Sequence, residues 1–164
     1  MAGHEQAGGT YVLFRLSNEE YGLPIDKVQS IIRYEEPTPV PRSPEAVQGV
    51  INLRGRVIPV VDLTRRLFSS PFTPGPSSRI VVAEGEAGTL GLAVDAANEV
   101  VSIPDESVRP APASVLSEET AEAIAGVAEH GGRLIVLLDL DEAVPRSGYA
   151  QPGPGRLEED DADV

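Results

Sequence analysis

The fold is decided by the stretch Gly49-Val50-Ile51-Asn52-Leu53-Arg54-Gly55-Arg56-Val57-Ile58-Pro59-Val60-Val61-Asp62-Leu63. A second stretch repeats it without a gap, at a constant offset of 77 residues, and 7 of the 15 positions are identical: Gly126-Val127-Ala128-Glu129-His130-Gly131-Gly132-Arg133-Leu134-Ile135-Val136-Leu137-Leu138-Asp139-Leu140. Each stretch places a glycine-containing turn between two apolar runs, which is typical of a β-hairpin. A chain of this size that carries one β-unit twice indicates two small barrels packed together.

The repeat extends upstream of the hairpins. Residues 21–26 match residues 90–95 at an offset of 69, and residues 28–31 match residues 100–103 at an offset of 72. Each copy therefore supplies three strands, a proline-rich connection and a two-strand hairpin. We predict a mainly β protein in which each copy forms a five-stranded barrel, the first over about 10–68 and the second over about 79–147.

Short helices are predicted at three places. Asp62 and Asp139 each follow a hairpin and suit the N-cap of a short helix. Ser43 is predicted to cap another helix, with Pro44 at its first position and Gly49 at its end.

Composition excludes several classes of function. The 164 residues carry a formal net charge of −13, which argues against binding to nucleic acid or to anionic lipid. Cysteine is absent, so neither a disulfide framework nor a thiolate metal site is possible. The start has no secretory-signal pattern, and the longest apolar run, 134–138, is too short to span a bilayer. We expect a cytoplasmic protein with disordered ends at 1–9 and 148–164.

The sequence contains only weak candidates for a catalytic site. The repeat places Asp62 and Asp139 in equivalent positions, which leaves a pseudo-symmetric carboxylate hydrolase as an alternative, although capping explains both residues without chemistry. Neither His4 nor His130 has an evident partner for catalysis or for a metal ion. We therefore expect no enzyme, no cofactor and no metal.

The hairpin turn offers a binding site instead. Asn52-Leu53-Arg54-Gly55-Arg56 places two arginines around a turn in an acidic protein. Arginine forms bidentate and stacking contacts and is enriched at protein interfaces. The competing interpretation is that both arginines are solubilising turn charges, and spacing alone leaves the two equally open.

The chain resembles the CheW-like adaptors of bacterial chemosensory arrays over about residues 10–147. The Asn-Leu-Arg-Gly stretch followed by Pro-x-x-Asp-Leu is the most specific match. The supporting matches are Glu20-Tyr21-Gly22, Ile25-Asp26-Lys27-Val28, Val108-Arg109-Pro110-Ala111-Pro112 and the strand from Arg133 to Leu140. The resemblance implies two SH3-like five-stranded barrels, no catalysis, and coupling of membrane chemoreceptors to a histidine kinase.

The resemblance also implies the site. Arg54 and Gly55 match residues important for receptor and kinase coupling, and Val28, Ile31 and Gly49 match positions implicated in the same contacts. Ser30 stands where family members carry an acidic residue, a departure that bears on partner specificity. The expected partners are the tip of a chemoreceptor, in an apolar groove between the barrels, and the regulatory domain of the kinase, at the end of one barrel. The sequence leaves open whether the pathway serves motility or another output, such as development, biofilm or gene expression.

Overall fold

The computed structural model describes residues 8–112 and 121–144. These residues form eleven strands and two short α-helices, with single 3-10 turns at Ile25–Lys27 and Asp105–Ser107. The strands are β1 (Gly9–Leu16), β2 (Glu19–Pro24), β3 (Val28–Arg33), β4 (Val47–Leu53), β5 (Arg56–Asp62), β6 (Arg79–Gly85), β7 (Gly88–Val94), β8 (Ala96–Ile103), β9 (Val108–Arg109), β10 (Ile124–His130) and β11 (Arg133–Leu138). The helices are α1 (Leu63–Phe68) and α2 (Leu140–Ala143).

The strands form two sheets that exchange strands between the copies. One sheet has the order β8-β1-β2-β11-β10-β9, and the other has the order β3-β6-β7-β5-β4. Each sheet therefore contains the first two strands of one copy, completed by strands of the other copy: three in the five-stranded sheet and, with the short β9, four in the six-stranded sheet. The prediction of three plus two strands in each barrel is right apart from the short additional strand β9, but the prediction that each copy builds its own barrel is wrong.

The exchange preserves the symmetry of the repeat. Gly22 of β2 lies opposite Leu137 of β11 in a parallel pair. Gly91 of β7 lies opposite Val60 of β5 in the other parallel pair. These four residues are related by the offsets of 69 and 77 found in the sequence. The repeat in the sequence is thus a repeat of strand pairing.

Each sheet closes through the chain that continues one of its edge strands. After β3, Thr38 forms a bridge with Val50 of β4. After β8, the short strand β9 pairs with β10. Closure covers the exposed edges of both sheets, as in small barrels. The mainly β fold of two packed barrels is confirmed.

The core has three parts. One cluster fills the barrel that contains β1, another fills the barrel that contains β3, and the largest draws side chains from both sheets. The largest cluster includes Phe14, Leu23, Leu63, Leu92 and Leu138. The barrels therefore share a packed apolar interface.

The predicted helix at Ser43 is wrong. Pro44 accepts a hydrogen bond from the backbone N–H of Val47, which makes a turn, and β4 begins at Val47 itself. Val47 is buried in the shared core and pairs with Val61. Burial and strand pairing of Val47 outweigh a local capping signal that stabilises by only about 1 kcal/mol.

The termini are only partly described. The N-terminal segment predicted to be disordered ends inside a strand, because Gly9 begins β1 and pairs with Ile103. Residues 1–7 and the predicted acidic tail, 148–164, lie outside the described residues.

Candidate functional site

The tip of the β4–β5 hairpin presents Arg54. Leu53 pairs with Arg56, so Arg54 and Gly55 form a two-residue turn, with φ angles of 55° and 86°. Two positive φ angles in such a turn define type I′. The Asn52 Oδ1 atom accepts a hydrogen bond from the Gly55 N–H at 2.9 Å. Within residues 8–112 and 121–144, the exposed Arg54 side chain forms no hydrogen bond or ion pair.

The same turn in the second copy has no arginine. Gly131 and Gly132 occupy it, with φ angles of 60° and 78°. A left-handed conformation costs a residue with a side chain about 1–2 kcal/mol, whereas glycine adopts it freely. The fold therefore accepts glycine at the tip, and Arg54 is held there at a conformational cost.

Arg56 has different surroundings from Arg54. Its Nη2 atom donates a hydrogen bond to the Thr89 Oγ1 atom of β7 at 2.8 Å. The equivalent residue of the second copy, Arg133, donates to Glu20 at 2.8 Å and forms an ion pair with Glu99 at 3.1 Å. The hydrogen bond to Glu99, followed by the charge of Glu20, raises the pKa of Arg133.

One neighbour of the turn, Val57, was not identified from the sequence. Leu53, predicted as a partner-binding residue, turns inward and packs against the core of its barrel. Val57, opposite Asn52, faces outward and is 42% exposed. Its counterpart Leu134 is 69% exposed. Strand alternation against the buried Ile58 is the signal that could have found Val57.

The predicted residues on β3 lie apart from the hairpin tip along the sheet. Val28 is half-buried and packs against the shared core, Ser30 is half-buried, and Ile31 is 37% exposed. The pairings across the sheet place Ser30 on one row with Gly49. The strands β3 and β4 that carry them are at opposite ends of the strand order. The structure thus places Asn52, Arg54, Gly55 and Arg56 together at the hairpin tip, while the predicted β3 residues lie apart from that tip.

Gly49 has a structural role at the closure of its barrel. A Cβ atom there would lie 2.1 Å from the carbonyl oxygen of Thr38. Thr38 exchanges backbone hydrogen bonds with Val50 at 2.8 and 2.9 Å. Only glycine lets the chain after β3 approach β4 this closely.

Asp62 and Asp139 act as helix caps. Asp62 is 5% exposed and accepts hydrogen bonds from the N–H of Arg65 at 2.9 Å and of Phe72 at 3.0 Å. Asp139 accepts one from the N–H of Glu142 at 3.3 Å. The predicted caps are confirmed, and they account for the aspartates that the hydrolase alternative would use.

A depression of about 470 Å³ lies beside α1. Prolines and acidic residues line much of it, with Tyr34 and Phe72. Burial and the nearby charge of Glu36 raise the pKa of Tyr34, whose hydroxyl donates to Gln48 at 3.1 Å. This depression borders a single barrel, so the predicted groove between the barrels stays a prediction.

In the part of the chain that the structure describes, no helix is long and apolar enough to cross a membrane.

Comparison with known proteins gives consistent matches. The family model of the CheW-like domain matches residues 10–147. The chemotaxis protein CheW of Rhizobium meliloti is 34% identical over 145 residues, which cover 88% of this chain and 93% of the relative. The CheW of Klebsiella aerogenes is 32% identical over 138 residues, which cover 84% and 82%. The crystal structure of the scaffolding protein TtCheW from Thermoanaerobacter tengcongensis matches with a TM-score of 0.76 and 30% identity, covering 92% of this chain and 97% of that one.

Proposed function

Because the chain belongs to the CheW-like family, we propose that it is a non-enzymatic adaptor that couples chemoreceptors to a CheA-type histidine kinase in a chemosensory array. It acts in the cytoplasm and is recruited to arrays at the inner face of the membrane. Each contact needs only modest affinity, because an array supplies many contacts at once. Its partners are the regulatory domain of the kinase and the cytoplasmic tip of the receptors.

Arg54 is the observation that carries the proposal for the site. Its side chain is exposed, and its backbone keeps a left-handed conformation that the equivalent Gly131 adopts freely. Strain of this kind, kept although the side chain forms no bond with any residue that the structure describes, supports a role in recognition. A guanidinium group at a rigid turn suits a carboxylate or an aromatic ring on the partner.

The test measures binding of the purified regulatory domain of the source organism's CheA-type kinase to three variants. Arg54→Glu reverses the charge at the tip, and we expect it to weaken binding about tenfold or more, which corresponds to about 1.4 kcal/mol. Arg54→Gly copies the turn of the second copy and should also weaken binding. Arg42→Glu is the matched control, because Arg42 is likewise exposed with a positive φ of 65°. We expect the control to bind as the wild type does.

The same variants distinguish a loss of binding from a loss of folding. Arg54→Gly should unfold in urea at the same or slightly higher concentration than the wild type, since relief of backbone strain roughly offsets the entropy of glycine. Kinase activation in receptor-containing membranes should fall in parallel with binding. Normal binding by folded Arg54→Glu protein would contradict the proposed site.

The β3 surface is the proposed contact for the receptor tip. Ile31 is exposed and Val28 half-buried, so they offer apolar area to a helical hairpin. Ser30 replaces the acidic residue of the family on this strand. We expect Ile31→Asp to reduce binding to receptor-containing membranes while kinase binding persists, and equal loss of both would argue against separate surfaces.

A further inference from the structure

The hairpin that carries Arg54 extends beyond its backbone pairing with β7. The parallel ladder joins Val60 to Gly91 and continues to Asp62 and Ala93. Pro59 lies between Val60 and the hairpin turn, and it has no N–H to donate to β7. The first four residues of β5, 56–59, therefore lie outside the ladder.

A side-chain bond spans the gap that the ladder leaves. The Arg56 Nη2 atom donates to the Thr89 Oγ1 atom at 2.8 Å. Thr89 is 3% exposed, so its hydroxyl is held within the barrel wall. Arg56 also pairs with Leu53 across the turn. The bond thus fixes the residue that directly follows the Arg54–Gly55 turn.

The second barrel contains the same anchor without the same tip. Arg133 corresponds to Arg56 at the offset of 77, and Glu20 corresponds to Thr89 at the offset of 69. Arg133 donates to Glu20 at 2.8 Å, although the adjacent turn consists of Gly131 and Gly132. An arginine anchor is therefore present whether or not the turn presents an arginine.

We propose that Arg56 is a positioning residue, which clamps the hairpin to β7 through Thr89 and so orients Arg54 toward the partner. Arg56 does not contact the partner itself. The proposal rests on the proposed role of Arg54 and adds the residue pair on which its geometry depends.

A double-mutant cycle on the full chain tests the clamp. Thr89→Val removes the acceptor at nearly constant volume, and Arg56→Gln replaces the guanidinium group with a shorter, uncharged amide. We expect each to weaken binding of the purified kinase regulatory domain about fivefold. The double variant should be no weaker than either single variant, because both remove one interaction. Thr89→Glu rebuilds the arginine–carboxylate pair of the second barrel and should retain binding.

Amide resonances of the free protein give a readout that does not depend on the partner. In Thr89→Val and Arg56→Gln, the signals of Arg54 and Gly55 should shift or broaden, while those of Gly131 and Gly132 stay unchanged. Loss of binding by Arg56→Gln with normal binding by Thr89→Val would overturn the proposal, since Arg56 would then contact the partner. Additive losses in the double variant would overturn it as well. Normal binding by Arg54→Gly would show that the proposed site itself is wrong.

Discussion

Arg54 and Arg56 carry the same charge two residues apart, yet their surroundings differ. The sequence presents both as arginines beside a turn, with recognition and solubility equally open. The structure separates them, because Arg56 bonds to Thr89 whereas the Arg54 side chain points outward without a bond among the described residues. The distinction depends on Thr89, which is 33 residues away along the chain. A contact at that separation cannot be read from local spacing.

Asp62 should prove important for stability and dispensable for coupling. Asp62→Asn keeps one amide oxygen, so one of the two N–H groups it serves, on Arg65 or Phe72, loses its acceptor. We expect a loss of about 1–2 kcal/mol in the free energy of unfolding, measured in urea, with kinase binding retained. Asp139→Asn is the control, because its single bond can be kept by asparagine, and it should cost less than about 0.5 kcal/mol. Loss of coupling in a folded Asp62→Asn protein would revive a chemical role.

Tyr21 should make the protein sensitive to alkali. Burial, followed by the charge of Glu19, raises the pKa of Tyr21 above the ordinary 10.0. The folded state therefore holds the phenolic proton at a pH where the unfolded state releases it, so the free energy of unfolding falls as pH rises above about 10. We expect Tyr21→Phe, which keeps the ring that stacks on Phe14, to reduce this slope by at most about 1.4 kcal/mol per pH unit. Urea unfolding of the wild type and of Tyr21→Phe at pH 8, 10 and 11 measures this pH dependence. Identical slopes for the two proteins would contradict the role of Tyr21.

At the scale of the elements, Gly49 shows that a residue matching a coupling position can act through the fold. Gly49→Ala would force a Cβ atom against the Thr38 carbonyl and open the closure of the barrel. We expect a loss of at least about 2 kcal/mol in thermal or urea unfolding. Gly75→Ala is the control, because nothing lies within 4 Å of the added Cβ atom. If Gly49→Ala were as stable as the control, Gly49 would have to act at the surface.

The hairpins and two of the three helix caps were predictable, because their signals are local. Asp62 and Asp139 cap helices that begin at the next residue. The prediction of a helix at Ser43 was wrong because the residues around Ser43 do not indicate that Val47 is buried in the shared core.

At the scale of the whole molecule, the sequence predicted ten of the eleven strands but not their partners. Both copies carry the same apolar alternation, so β1 and β2 satisfy the pattern equally well in either barrel. The structure pairs β2 with β11 and β7 with β5. Identical local patterns leave the choice of partner to the packing of the whole chain.

The exchange of strands between the two copies predicts that neither half of the chain folds alone. A chain cut at Gly75, in the exposed connection between the copies, yields fragments 1–75 and 76–164. Each should be unfolded by circular dichroism, because each lacks strands that complete both of its sheets. Mixing the fragments should restore a folded 1:1 complex that binds the kinase regulatory domain. A fragment that folds by itself, with dispersed amide resonances, would contradict the exchange as the basis of stability.

A single copy of the repeat would form neither sheet alone, because two of its strands belong to one sheet and three belong to the other. Two such chains could complete each other only as a domain-swapped homodimer, with two identical faces related by a two-fold axis. Because both copies lie in one chain, the two faces keep that architecture without having to carry the same residues. Arg54 in one turn and Gly131 in the other record that divergence. Covalent linkage of the two copies thus allows one turn to present an arginine while the equivalent turn carries only glycine.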